Sequence, residues 1–158
     1  MRKQSGFTLI ETMIYLALFS IIIGGSMITA YSIIENSDKT QAQVVLQEEA
    51  NFMLRKLDWA ITGSSSITLP MVGSSGTGLE LTKSIGTIEF QLNGNKLQIK
   101  KGAGAFLDLN NANVTIDSLS FAHVAGGGGK PESVVTTFVL VDNYGHNQTF
   151  SQTKYLRK

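Results

Sequence analysis

The chain has 158 residues, 42% hydrophobic and 8% aromatic, which is material for one domain of ordinary size plus one long apolar segment, so a second independent core is not expected. A formal net charge of +1 implies neither a general basic field for nucleic acid nor an acidic solvating tail. Cysteine is absent, which excludes a disulfide framework, thiolate zinc sites and a cysteine nucleophile, and leaves any extracytoplasmic stability to packing alone.

The first element is a short basic start followed by an apolar run. Residues 7–34 carry a single charge, Glu11. As a helix rising about 1.5 Å per residue this run is roughly 42 Å long, against a hydrocarbon core of about 30 Å. It is long enough to span a membrane. Arg2 and Lys3 precede it, and the positive-inside bias then holds the start in the cytoplasm and sends the remainder outward. A secretory signal cut after Ala30, at "MITA", is disfavoured by the length of the run and by its carboxylate. A plain one-pass anchor explains the length but leaves Glu11 as an uncompensated cost of about 2.5 to 3.5 kcal/mol on insertion scales.

The stretch "GFTLIE", residues 6–11, after a basic leader and before about twenty apolar residues, resembles the N-terminal signature of type IV pilins and of the pseudopilins of type II secretion systems. The resemblance covers roughly residues 1–34. It implies a leader of residues 1–6, a cut by a prepilin peptidase between Gly6 and Phe7, and methylation of the new amino terminus at Phe7. It also makes Glu11 the fifth residue of the mature chain and an assembly residue. Two pairings are open for its carboxylate. One is with its own Phe7 amine, an i to i+4 contact favoured at a helix N-terminus. The preferred one is with the Phe7 amine of a neighbouring subunit, where low dielectric makes an unpaired charge costly and so selects the docked register. Loss of the leader takes Arg2 and Lys3 from 13 basic side chains set against 12 acidic ones, so the side-chain balance changes sign.

No proline occurs before Pro70, so a continuous helix from Phe7 to about Thr62 is expected. Its second half, residues 35–62, places Ala42, Leu46, Ala50, Met53, Leu57 and Ile61 at spacings of three and four, an amphipathic stripe. Val45, Phe52 and Trp59 form a second line, for subunit contacts or for a wider buried stripe. Gly24 and Gly25 are either a flexible point or, with Ser26, a site of close helix packing.

Residues 63–158 change to an alternating period. "LELTK" (79–83), "GTIEFQL" (86–92) and "KLQIK" (96–100) read as strands, the last two joined by "NGN", with Ile88, Phe90, Leu92, Leu97 and Ile99 sharing a buried face. "SLSFAHV" (118–124), "SVVTTFVLV" (133–141) and "NQTFSQTKYL" (147–156) are further strands, and "AGGGGKP" (125–131) is a flexible connection without the helix that a phosphate-binding loop needs. The fold expected is α+β and pilin-like: a long N-terminal α-helix, membrane half plus amphipathic half, packed on an antiparallel β-sheet.

Chemistry in the sheet region is sparse. His123 is expected half-buried near a sheet edge, and His146 just past the turn "DNYG"; two histidines without spaced carboxylate partners make a poor metal site. Turn formation explains Asp142 and Asn143 better than a calcium loop. No serine or threonine stands in a motif with a base, so neither catalysis nor a cofactor is expected. Lys96, Lys100, Lys101, Lys154, Arg157 and Lys158 would form a small basic area for DNA if hairpin and C-terminus lie together, but without interleaved aromatics a solvated, lysine-guarded edge is preferred.

The sequence therefore points to a prepilin subunit, a minor component of a type IV pilus or pseudopilus serving secretion, adhesion, motility or DNA uptake. The valine-rich strand, turn and "TFSQTKYLRK" ending resemble the end of J-type minor pseudopilins. The resemblance implies as partners a prepilin peptidase, other pilin or pseudopilin subunits, an inner-membrane assembly platform with its ATPase, and lipid before assembly. It implies a single-pass inner or cytoplasmic membrane protein with its C-terminal domain outside, passing into a filament. The alternative is a non-assembling membrane-anchored binding module, with DNA as one candidate ligand.

Overall fold

The computed structural model describes residue 6 and residues 8–156. One helix, α1 (Leu9–Ile61), precedes nine strands. The chain divides into two compact units, one ending at Gln41 and one beginning at Ala42, and the helix belongs to both by sequence.

In the first unit the helix is apolar on every side as far as Ile34, polar from Glu35 to Gln41, and exposed along its length, with only Glu11 half-buried. Its hydroxyls are turned onto its own backbone. Ser20 donates to the Leu16 carbonyl at 2.7 Å, Ser26 to Ile22 at 2.8 Å, Thr29 to Gly25 at 2.9 Å and Ser32 to Ile28 at 3.1 Å. Each removes a polar group that hydrocarbon would leave unsatisfied. The helix runs unbroken through Gly24 and Gly25, where an added Cβ would meet nothing within 4 Å.

In the second unit the stripe expected from spacing is buried: Leu46, Ala50, Met53, Leu57 and Ile61, joined by Ala60, with Ala42 only half-buried. Val45 of the second line packs on the core, whereas Phe52 and Trp59 stay exposed. Nine strands follow: β1 (Ser66–Leu69), β2 (Ser75–Gly76), β3 (Leu79–Lys83), β4 (Gly86–Asn93), β5 (Lys96–Lys101), β6 (Leu107–Asp108), β7 (Val114–Val124), β8 (Ser133–Asp142) and β9 (Asn147–Tyr155). They form two antiparallel sheets, ordered β1-β3-β4-β5-β6 and β2-β7-β8-β9, where the sequence implied one. The added strands β1, β2 and β6 have two to four residues and little burial, too little period to register as strands.

Both inner faces meet α1 in one core. In the first sheet Leu79 lies opposite Phe90, Leu81 opposite Ile88, and Phe90 opposite Ile99. All are buried, while Leu92 of the expected face is half-buried. In the second sheet Leu119, Phe121, Val134, Phe138 and Leu140 close the core from the other side. At about 1.5 to 3 kcal/mol per large apolar side chain, this burial is the main force holding the unit together.

Strand β7 starts four residues earlier than its alternating pattern indicates. Val114 and Ile116 are buried on one phase and Leu119, Phe121 and His123 on the other, with a register shift between Ile116 and Ser118. A bulge at Asp117 accounts for the break, because one extra residue reverses which side chains face inward. The connection at 125–131 is more ordered than its composition implied. Gly127 and Lys130 exchange backbone bonds of 3.1 Å around Gly128 and Gly129, both at positive φ, a tight turn that glycine allows.

Candidate functional site

Thr8 stands just outside the first helical residue, Leu9, and Glu11 lies one turn on. The Glu11 N–H donates to Thr8 Oγ1 at 3.4 Å, while the Thr8 N–H and hydroxyl donate to Glu11 Oε2, each at 3.4 Å. This reciprocal arrangement is a capping box: the threonine satisfies a free helix donor and the glutamate reaches back to the cap. The carboxylate is thereby held over the start of the helix, where the dipole favours negative charge. The spacing Thr-x-x-Glu was readable in the sequence. Its meaning as a cap depends on the helix starting at Leu9.

Gly6 is described and exposed, and a Cβ there would meet nothing within 4 Å. Phe7, Arg2 and Lys3 lie outside the described residues, as do Arg157 and Lys158 of the proposed basic area.

Elsewhere the structure corrects three expectations. His123 is only 2% exposed, inside β7, which is flanked by β2 and β8 rather than at an edge. Its alternating phase was right; its neighbours were not visible in the sequence. Secondly, both histidines have carboxylate neighbours. His123 Nδ1 meets the Pro70 carbonyl at 2.9 Å, leaving Nε2 3.5 Å from Glu132. His146 Nδ1 is 3.0 Å from Asp142 Oδ2, four residues back across the turn. Asp142 Oδ1 accepts the N–H groups of Tyr144 and His146, each at 2.9 Å. Burial acts to raise the Asp142 carboxyl, but hydrogen bonds from the His146 side chain and from the His146 and Tyr144 backbone outweigh it and hold it below its ordinary value. Its oxygens are therefore committed to closing the turn. Among the described residues no three metal-ligating side chains come together.

Thirdly, aromatics do accompany the lysines, three of which are ion-paired. Lys96 pairs with Asp108 at 2.6 Å, Lys100 with Glu89 at 2.8 Å, and Lys154 with Asp58 at 2.5 Å. Lys100 lies 5.3 Å from the Phe106 ring centre, and Lys101 4.9 Å from that of Trp59.

Asn110, which sequence reading missed, links the sheets. Its buried Oδ1 accepts the Leu97 N–H at 2.9 Å, and its Nδ2 donates to the Val114 carbonyl at 2.7 Å. A single asparagine in "NNAN" gives no sign of such a role.

Against known families, residues 1–27 match the prokaryotic N-terminal methylation motif. The N-terminal segment is thus of the prepilin type, and the apolar part of α1 that it enters is, among the described residues, the one helix segment long and apolar enough to cross a membrane. No curated protein and no solved structure matches the chain.

Proposed function

We propose that the chain is a prepilin-type subunit, cut between Gly6 and Phe7, methylated at Phe7, and assembled as a minor component of a type IV pilus or pseudopilus. The observation that carries this reading is the methylation motif over residues 1–27 running directly into an uncovered apolar helix. The chain supplies packing surfaces, and the cutting, methylation and energy come from a prepilin peptidase and an ATP-driven assembly platform. Before assembly the helix sits in lipid with the sheet unit outside.

The capping box supports a specific role for Glu11. It turns the carboxylate toward Thr8, the residue that follows the proposed new terminus in sequence, which suits Glu11 to serve as counter-charge to an amine. In low dielectric, a neighbouring subunit's amine brought to the same place relieves the charge only in the correct register.

Mass spectrometry of the protein from cells with active prepilin peptidase should find an N-terminus at methylated Phe7. An intact Met1 start would instead identify a tethered binding module. Glu11→Ala should be processed normally yet enter filaments at a reduced level; full incorporation would end the pairing argument.

A further inference from the structure

The four sheet edges of the second unit are unequal. β1, β2 and β6 end their sheets with four, two and two residues, whereas β9 offers nine. β9 pairs with β8 in an unbroken register from Ser133–Tyr155 to Val141–Asn147, and among the described strands with nothing else. It contains no proline, no glycine and one charge, Lys154, which is turned onto Asp58. Lys154 apart, β9 carries no proline, bulge or charge to blunt the edge, and alternate residues direct outward N–H and C=O groups that are unpaired among the described residues.

A groove of about 620 Å³ lies beside this edge, lined by Asn51, Arg55, Asp58 and Trp59 of α1, by Lys83 of β3 and by Gln152 of β9. Its charge is positive on balance, because Asp58 is taken by Lys154. Lys83 donates to the Trp59 carbonyl at 2.6 Å and lies 4.6 Å from the ring centre, with Lys101 also against the ring. Arg55 is exposed and has no ion pair among the described residues. A guanidinium unengaged among the described residues, beside an open strand edge, is suited to a carboxylate, which it can grip with two parallel hydrogen bonds.

We propose that β9 and this groove bind an extended acidic segment of a partner protein by strand addition. The segment's main chain pairs with β9, and its inward side chains, two residues apart, enter the groove with a carboxylate on Arg55. A second copy of β9 is the wrong occupant, because "NQTFSQTKY" brings no carboxylate for Arg55 and adds another lysine.

Trp59 is the chain's single tryptophan and reports on the groove directly. The full chain in detergent is titrated with a short peptide of alternating threonine and glutamate, with its glutamine counterpart, and with a proline-interrupted version. The acidic peptide should change Trp59 fluorescence saturably and slow amide exchange along β9. The proline version should do neither, and Arg55→Gln should weaken the acidic peptide by about tenfold while leaving the glutamine peptide unchanged. Equal binding of the proline version, or a fluorescence change without protection of β9, would overturn strand addition. Oligothymidylate matching the peptide's fluorescence response without protecting β9 would overturn it in favour of a general polyanion site.

Discussion

The two halves of α1 have the same backbone and opposite dependences. From Leu9 to Gln41 every large apolar side chain is exposed, and Leu16 is 71% accessible; from Leu46 onward a stripe of the same residue types is buried. The first half answers its polar groups internally, hydroxyl to carbonyl within one turn. The second half is held by side chains from both sheets. A helix therefore needs no particular apolar content to be buried; it needs a partner for one face, and where the partner is lipid all faces can be apolar.

The largest effect that would test this contrast is core truncation. Leu57→Ala should destabilise the sheet unit by about 3 kcal/mol, read from denaturant unfolding followed at Trp59 in detergent. Leu16→Ala should leave that transition unchanged within about 0.5 kcal/mol. Comparable losses from both would show that the halves share one source of stability.

A smaller effect concerns how the sheet unit closes its last hairpin. Asp142→Asn should cost about 1.5 kcal/mol at neutral pH through weaker bonds to Tyr144 and His146. Because the folded carboxyl lies below its ordinary value, the charged form is favoured by folding. Its contribution is present above the unfolded carboxyl's pKa and fades as pH falls through the folded one. Acid titration of wild type and variant should therefore converge at low pH, and parallel curves would remove the carboxylate from the account.

The smallest effect belongs to the first half. Thr8→Ala removes half of the capping box and should fray the first turn by about 0.5 to 1 kcal/mol. Faster amide exchange confined to residues 9–11 would be the sign, with unfolding of the sheet unit untouched.

The helix, its buried stripe and the hairpin from Gly86 to Lys101 were legible because each repeats one local rule over many residues. The division into two sheets was not, since β1, β2 and β6 are too short to show a period and are held by what they pair with. The bulge in β7 concealed its first turn of pattern by reversing the phase at Asp117. At the candidate site Glu11 stood out as a charge in an apolar run, and Thr8 did not, because a threonine at that place is ordinary until the helix start is known.

By itself the sequence determined the helix, the six longer strands and the N-terminal motif, which depend on residues within a few positions of one another. Tertiary structure alone decided which strand edge stays open, which lysines are neutralised, and that Arg55, Trp59, Lys83 and Gln152 share one groove. Those facts join positions up to almost a hundred residues apart. Only the packed core, by pulling the two sheets and the helix onto one another, sets the distances over which their charges act.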